Sequence, residues 1–128
     1  MQILGSENDI GSVKIADEVV AIIAGLAATE VPGVAGMSGG LAGGIAEMLG
    51  RKNLTRGVKV EVGERQAAVD LFLIVEFGVK IPEVAWRVQE NVKKAIESMT
   101  GLDVVEVNIH VQGVKIAGEE KEEEARVK

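Results

Sequence analysis

The 128-residue chain contains no cysteine and no tyrosine, and it has only two phenylalanines, one tryptophan and one histidine. Without cysteine there can be no disulfide framework, no thiolate zinc site and no thiol chemistry. A single histidine among scattered carboxylates makes a poor metal site. The residues therefore predict no catalytic constellation, no metal site and no cofactor.

Positive charge and long apolar runs are also scarce. The 14 Lys and Arg residues are outnumbered by 20 Asp and Glu residues, and the formal net charge of −6 disfavours nucleic acid as a partner, because phosphate binding depends on Lys and Arg. The longest apolar run, residues 19–28, is far shorter than the ~20 residues of a membrane-spanning helix. The N-terminus lacks the pattern of a signal peptide. We therefore expect a cytoplasmic protein that does not insert directly into a membrane.

The length of the chain favours one domain with a single core. We place this domain at residues 10–116, after an N-terminal extension at residues 1–9. Residues 117–128 are highly charged and have too little apolar content to pack, which predicts a mobile tail.

The strongest pattern is a strand, a helix and a second strand. Apolar residues recur at steps of three and four from Ile81 to Thr100, which predicts a helix with Pro82 in its first turn and Gly101 just beyond its end. Residues 67–77 and 104–112 alternate between apolar and more polar side chains, as strands do. The connection is long enough for the two strands to lie parallel, with a right-handed crossover.

Weaker patterns complete the predicted fold. Residues 17–30 predict a second helix that Pro32 stops, and residues 10–15, 34–37 and 57–63 predict short strands. The predicted inner stripe of that helix comprises Val19, Ile22, Ile23, Leu26 and Ala27. The expected fold is α/β (α+β-like): a single domain in which a mixed sheet of four or five strands carries the two main helices on one face.

If the helices cover only one face of the sheet, the other face presents apolar side chains. Phe72 and Ile74 lie on this outer phase, and the alternation of the last strand places Val114 and Ile116 there as well. Such a patch usually marks an interaction surface, although the N-terminal segment or the glycine-rich loop could instead fold over it. Trp86 lies off the apolar stripe of its helix, where it either serves as a binding hot spot or packs against a neighbouring loop.

Two features allow rival functions. The glycine-rich segment at residues 39–49 contains the GxxG pattern of a backbone-clamping nucleic-acid loop at residues 40–43, followed by Arg51, Lys52 and Arg56. Apolar residues inside that pattern favour a plain surface loop. His110 could act as a general base or bind a small ligand, but a solvated strand residue explains it more simply.

Four short motifs resemble a known family. They are VPGV at residues 31–34, RGVKV at 56–60, FGVKIP at 77–82 and MTGL at 99–102. With the segments around them, over residues 11–114, the chain is similar to the alkaline-shock (Gls-type) envelope stress response family of mainly Gram-positive bacteria.

The resemblance implies a non-enzymatic cytoplasmic protein that supports tolerance of envelope or alkaline stress. Members often lie near the membrane through a membrane-spanning protein partner and can self-assemble, which here implies a homo-oligomeric scaffold or adaptor. The family has no catalytic residues to carry over. The matching residues at turns and helix ends have structural reasons to be there, and they are Gly33, Gly57, Gly78, Pro82 and Gly101. The chain departs from the family pattern at residues 39–49 and after residue 118.

Overall fold

The computed structural model describes residues 10–39 and 54–116. The predicted N-terminal extension, the charged tail, the GxxG pattern, Arg51 and Lys52 lie outside the described residues. The described part forms a single α+β domain. Its elements in chain order are α1 (Asp17–Thr29), β1 (Val34–Met37), β2 (Val58–Val62), β3 (Gln66–Glu76), α2 (Ile81–Thr100) and β4 (Asp103–Lys115).

The four strands form one mixed sheet around β3. β2 and β1 pair antiparallel with successive parts of β3 along the same edge, β2 opposite residues 67–71 and β1 opposite residues 73–75. β4 pairs parallel with β3 along the other edge, as the strand–helix–strand pattern predicts. The prediction of a mixed sheet of four or five strands is therefore confirmed, with four strands in the described part.

Helix α2 has the limits that the sequence predicts. Pro82 lies in its first turn, and Gly101 caps its end with φ +80°, a left-handed conformation that glycine adopts at little cost. The buried residues of α2 recur at every fourth position, and they are Val84, Val88, Val92, Ile96 and Thr100. The apolar pattern of this helix therefore reports the centre of its packing face correctly, whereas Ile81 and Met99, which belong to the same apolar pattern, are exposed.

The core lies between the helices and one face of the sheet. Alternate residues of β3 point into it and are almost completely buried: Ala67, Val69, Leu71, Leu73 and Val75. Apolar residues of both helices pack against them, so both main helices lie on the same face. The opposite face of β3, which carries Phe72 and Ile74, is only half-buried.

Helix α1 packs on a different side from the predicted one. Its core contacts come mainly from small residues, among them Ala24, Gly25 and Ala28. Of the predicted inner stripe, only Ile23 and Ala27 are buried, whereas Val19 and Leu26 are exposed. The small residues allow close approach: a Cβ at Gly25 would lie 3.1 Å from the backbone oxygen of Leu54. Val20 and Ile23 are buried with the small residues, whereas Val19 and Leu26 are left on the outer side of the helix.

Two other predictions differ from the structure. Residues 10–15 do not form a continuous strand and instead carry isolated bridge positions at Gly11 and Lys14. The last strand extends to Lys115, beyond the predicted end at residue 112, because it continues to pair with the full length of β3.

Candidate interaction surface

The outer sheet face is the side of the sheet that carries Asp70, Phe72 and Ile74 of β3. Side chains alternate along a strand, so these residues point away from the buried residues between them. His110 of β4 is the direct neighbour of Phe72, and Lys59 of β2 is the direct neighbour of Asp70. The pairing of β3 with two flanking strands thus brings these side chains together.

Phe72 lies at the centre of this group. Its ring stacks on the His110 ring with a centroid separation of 4.4 Å and an interplanar angle of 11°. The ammonium group of Lys59 lies 5.6 Å from the centroid of the Phe72 ring, within the range of a cation–π contact. His110 Nε2 lies 3.1 Å from Asp70 Oδ1, so the same imidazole contacts both an aromatic ring and a carboxylate. These contacts restrict the orientation of the Phe72 ring and leave it only half-buried.

Ile74 stands between two residues without side chains. Its neighbour on β1 is Gly36, and its neighbour on β4 is Gly113. The Ile74 side chain covers Gly113, since its Cγ1 atom lies 3.5 Å from the position of an ideal Cβ on that glycine. The Ser38 hydroxyl donates a hydrogen bond of 3.0 Å to Gln112 Oε1, which connects the end of β1 to β4 across β3. The outer sheet face therefore combines Phe72 and Ile74 with a polar surround.

Hydrogen bonds from residues next to β1 and β2 hold the backbone of Phe72 at the edge of β3 that these two strands share. Its N–H donates to the carbonyl of Gly57, and its carbonyl accepts from the N–H of Ser38, at 2.9 and 2.7 Å. Gly57 has φ +75°, and an ideal Cβ there would lie 2.9 Å from the Ser38 carbonyl oxygen. The point where β1 and β2 meet along β3 thus has no room for a side chain at residue 57.

Of the five predicted surface residues, Phe72 and Ile74 are on the outer sheet face, and the other three are placed differently. The expectation that Val114 shares the outer phase is wrong, because Gln112 is an extra residue in the irregular pairing of β4 with β3 and shifts the alternation. Val114 consequently pairs with Val75 on the helix side of the sheet. Ile116 follows the end of β4 and is exposed. Trp86, on α2, is also exposed but is remote from Phe72 in the fold.

Trp86 lines a groove between α2 and the edge of β4 that pairs with none of the described strands. Gln89 Nε2 donates to the carbonyl of Val107 at 2.9 Å, and Lys93 Nζ donates to the carbonyl of Val104 at 3.0 Å. Side chains of α2 therefore occupy backbone acceptors that an edge strand would otherwise offer to another chain.

Glu97 completes this arrangement at the start of β4. Its carboxylate accepts hydrogen bonds from Lys93 Nζ at 2.9 Å and from the Val104 N–H at 3.0 Å. The hydrogen bond from Lys93, followed by the one from the backbone of Val104, lowers the pKa of the Glu97 carboxyl below its usual value. The charged form of Glu97 therefore favours the folded state.

The residues of the rival functions do not form a site in the described part of the chain. Arg56 is half-buried beside Gly39, with its Cγ 3.6 Å from an ideal Cβ of that glycine. His110 lies on the open sheet face, and Asp70 is the residue to which it is hydrogen-bonded. Within residues 10–39 and 54–116, no group of three or more His, Asp or Glu residues could hold a metal ion. None of the helices described there is long and apolar enough to cross a bilayer.

Comparison with known proteins identifies the family. The family model that matches residues 5–116 is that of alkaline-shock protein 23, which has a cell envelope-related function. The chain belongs to this family. The match spans the whole described domain and confirms the resemblance that the four short motifs indicate.

Relatives within this alkaline-shock family include two proteins of Bacillus subtilis. The uncharacterized protein YqhY is 44% identical over 109 residues, which cover 85% of this chain and 81% of YqhY. The uncharacterized protein YloU is 41% identical over 108 residues, which cover 83% of this chain and 90% of YloU. A stress response regulator gls24 homologue of Streptococcus pyogenes is 36% identical over 106 residues, which cover 82% of this chain and 59% of that protein. The family and these relatives support a protein of the cell envelope stress response.

Proposed function

We propose that this protein is a non-enzymatic, self-assembling scaffold or adaptor of the envelope stress response, held near the membrane by a membrane-anchored protein partner. The cell envelope-related function of the family and the stress-response name of the streptococcal relative support the process. The observation that carries the molecular role is the outer sheet face, where Phe72 and Ile74 lie with both main helices on the opposite side.

The composition of this face suits a protein partner. Protein interfaces combine an apolar centre with a polar rim, and aromatic residues are frequent among their hot spots. Phe72 and Ile74 supply the centre, while Asp70, Lys59 and the Ser38–Gln112 hydrogen bond supply polar groups around it. The stacking of Phe72 on His110 reduces the conformational entropy that its ring would lose on binding.

The shape of the face also favours a protein over a small molecule. Small-molecule sites are concave and enclose most of the ligand. Phe72 and Ile74 instead project from a sheet on which Gly36, Gly57 and Gly113 supply no neighbouring side chains. A broad partner surface can reach both side chains at once, whereas a small ligand would remain largely in solvent.

The test is a pair of matched substitutions of the two phenylalanines. Phe72→Glu, alone and with Ile74→Glu, introduces charge at the centre of the face, whereas Phe77→Glu introduces it at a residue that is 73% exposed beyond the end of β3. Self-association is measured by light scattering after size-exclusion chromatography over a range of concentrations. Partner capture is measured by pull-down from a membrane fraction, and circular dichroism reports folding.

We expect the Phe72→Glu/Ile74→Glu protein to form smaller assemblies or to lose partner capture while its circular dichroism spectrum stays native, because a charge at a buried interface centre is left unpaired. The Phe77→Glu control should retain both. Unchanged assembly and unchanged capture in the double variant would refute the assignment of this face.

A further inference from the structure

A second apolar surface lies on the helical side of the molecule. We call it the helix groove; it runs between α1 and α2. Val19 and Leu26 of α1 are 44% and 49% exposed, Ile22 lies half-buried between them, and Met99 of α2 is 70% exposed. Ala95 lines the same open groove. The helix groove and the outer sheet face are on opposite sides of the domain.

The sequence of α1 indicates that this groove is covered in the working protein. All residues between Glu18 and Thr29 are uncharged and apolar. A helix that is hydrophobic all round is normally buried all round. Only one side of α1 packs on the sheet here, and the outer side contacts no further helix or strand among the described elements. The exposed side chains therefore fit a partner that packs against them.

The two ends of the helix groove differ in charge. α1 and α2 run antiparallel, because Asn91 Nδ2 bonds to the carbonyl of Ala27 near one end, while Met99 lines the groove with Val19 towards the other. The first turn of α1, at the Met99 end, carries the carboxylates of Asp17 and Glu18.

The opposite end carries two cations beside two carboxylates. Arg87 and Lys94 of α2 lie beside the end of α1, where they line a depression together with Glu30 and Glu90. Neither cation forms an ion pair with a described residue. Asn91 of α2 donates a hydrogen bond of 3.3 Å to Glu30 and so holds this carboxylate against α2, in the same depression as the two cations. Because neither cation is ion-paired within the described part, both can still contact an acidic group of a second chain.

We propose that the helix groove binds the helix groove of a second copy of this chain across a two-fold axis. Such an axis near Ile22 places the two α1 helices antiparallel, with Val19 of each copy opposite Leu26 of the other. The spacing of residues 19, 22 and 26 is the three–four spacing of a helix–helix seam. The same axis brings Asp17 of each copy to the end that carries Arg87 and Lys94 of the other. Apolar and charged groups are therefore self-complementary in one arrangement.

The size of the surface determines how strong this dimer can be. A helix of 13 residues such as α1 is about 20 Å long, and packed helices lie 8–10 Å apart. A strip of that length and width on each of α1 and α2 gives a contact area of about 400 Å² on each protomer. A standard interface uses about 800 Å² on each partner. We therefore expect a concentration-dependent dimer with a dissociation constant in the micromolar range or weaker.

The helix-groove dimer goes beyond the proposed function and does not depend on it. Because the groove and the outer sheet face are opposite, a dimer would present two sheet faces pointing away from each other. Such a dimer could bind two partners at once, and partner binding would gain from that bivalency. The Phe72→Glu/Ile74→Glu protein should keep the helix-groove dimer, so failure of one proposal can be distinguished from failure of the other.

The first test compares two valines of similar exposure. Val19→Glu places a charge in the helix groove, whereas Val105→Glu places one on β4 at a residue that is 55% exposed. Glutamate is a better helix former than valine, so the α1 substitution should leave the fold intact, as circular dichroism will verify. Sedimentation equilibrium should show dimerisation weakened by about tenfold or more in Val19→Glu and unchanged in Val105→Glu. Equal behaviour of the two variants, or a monomer at every concentration of the unsubstituted chain, overturns the proposal.

The second test addresses the two-fold arrangement by exchanging charges. Asp17→Lys and the double variant Arg87→Glu/Lys94→Glu should each weaken their own dimer by about fivefold at low salt. A mixture of the two proteins should recover the original affinity, because one end of the heterodimer is native and the other has both charges reversed. If a segment of the same chain covers the groove instead, mixing will restore nothing, and the proposal fails.

Discussion

Replacing Gly57 with alanine tests whether the meeting point of β1 and β2 along β3 holds Phe72 in position. The φ of +75° at Gly57 is left-handed, which costs an L side chain about 1–2 kcal/mol. The added Cβ would also lie 2.9 Å from the Ser38 carbonyl oxygen and 3.0 Å from the Phe72 carbonyl oxygen. Both are backbone atoms, so relief requires a shift of the strands, at a further cost of about 1–3 kcal/mol. We expect Gly57→Ala to lower the free energy of unfolding by about 2–5 kcal/mol.

Gly101→Ala is the matched control for this prediction. Gly101 has nearly the same φ, +80°, but no atom lies within 4 Å of its ideal Cβ position. Its substitution should therefore cost only the conformational part, about 1–2 kcal/mol. Urea denaturation followed by circular dichroism measures both variants. Equal losses of stability would refute the reasoning, because they would mean that β1 and β2 relax around the new methyl group at no cost.

A functional consequence distinguishes the two glycines further. The Gly57 carbonyl accepts a hydrogen bond from the Phe72 N–H, so a shift of the strands there displaces Phe72 at the centre of the outer sheet face. Gly101 caps α2 at the other side of the domain and has no contact with that face. Folded Gly57→Ala protein should therefore bind partners through the outer sheet face less well, whereas folded Gly101→Ala protein should bind normally.

Three further predictions concern α2. Hydrogen bonds lower the pKa of Glu97 in the folded state, so its contribution to stability is present above the usual glutamate pKa and is lost as the pH falls through the lowered value. Glu97→Gln should therefore make the free energy of unfolding less dependent on pH in the acid range. Denaturation at several pH values measures this. Gln89→Leu with Lys93→Met removes the donors from two β4 carbonyls and should increase aggregation at high concentration, measured as turbidity; an unchanged turbidity would mean that these donors do not protect the edge. Asn91→Leu should lower the free energy of unfolding by about 1–2 kcal/mol, because the Ala27 carbonyl loses its donor; a thermal melt identical to that of the unsubstituted chain would contradict this.

The strand–helix–strand unit could be predicted because its signals are local. Helix α2 is amphipathic and has Pro82 and Gly101 at its ends, so its limits and the centre of its buried stripe follow from the order of residues. The alternation along β3 likewise identifies the buried side chains, since a strand with a helix layer on one face repeats every two residues. Family membership followed from short motifs at such turns and helix ends.

The side on which α1 packs could not be read from its sequence. Because apolar residues surround this helix, periodicity does not mark a preferred face. The structure selects the face of small residues, since Ala24, Gly25 and Ala28 let the helix approach the sheet where larger side chains would keep it away. The exposed positions of Val19 and Leu26 result from that choice. The helix groove is therefore a product of packing.

The candidate surface was predicted only in part. Phe72 and Ile74 are placed correctly on the outer phase of β3, but Val114 is not on this face, because one extra residue at Gln112 reverses the alternation of β4. His110 appeared in the sequence as a solitary polar residue. Its contacts with Phe72 and Asp70 come from the register of the parallel pair, which brings together residues about 40 positions apart in the chain.

The sequence by itself determined where the two main helices and the four paired strands lie, which family the motifs resemble and which side of β3 is buried, because periodicity, capping and turn residues act over a few neighbouring positions. Only the tertiary structure decided the pairing of β1 and β2 along one edge of β3, the side on which α1 packs and the group around Phe72. These features depend on how volumes fit and how strands align across long separations in the chain. Such distant contacts leave little trace in the local order of residues.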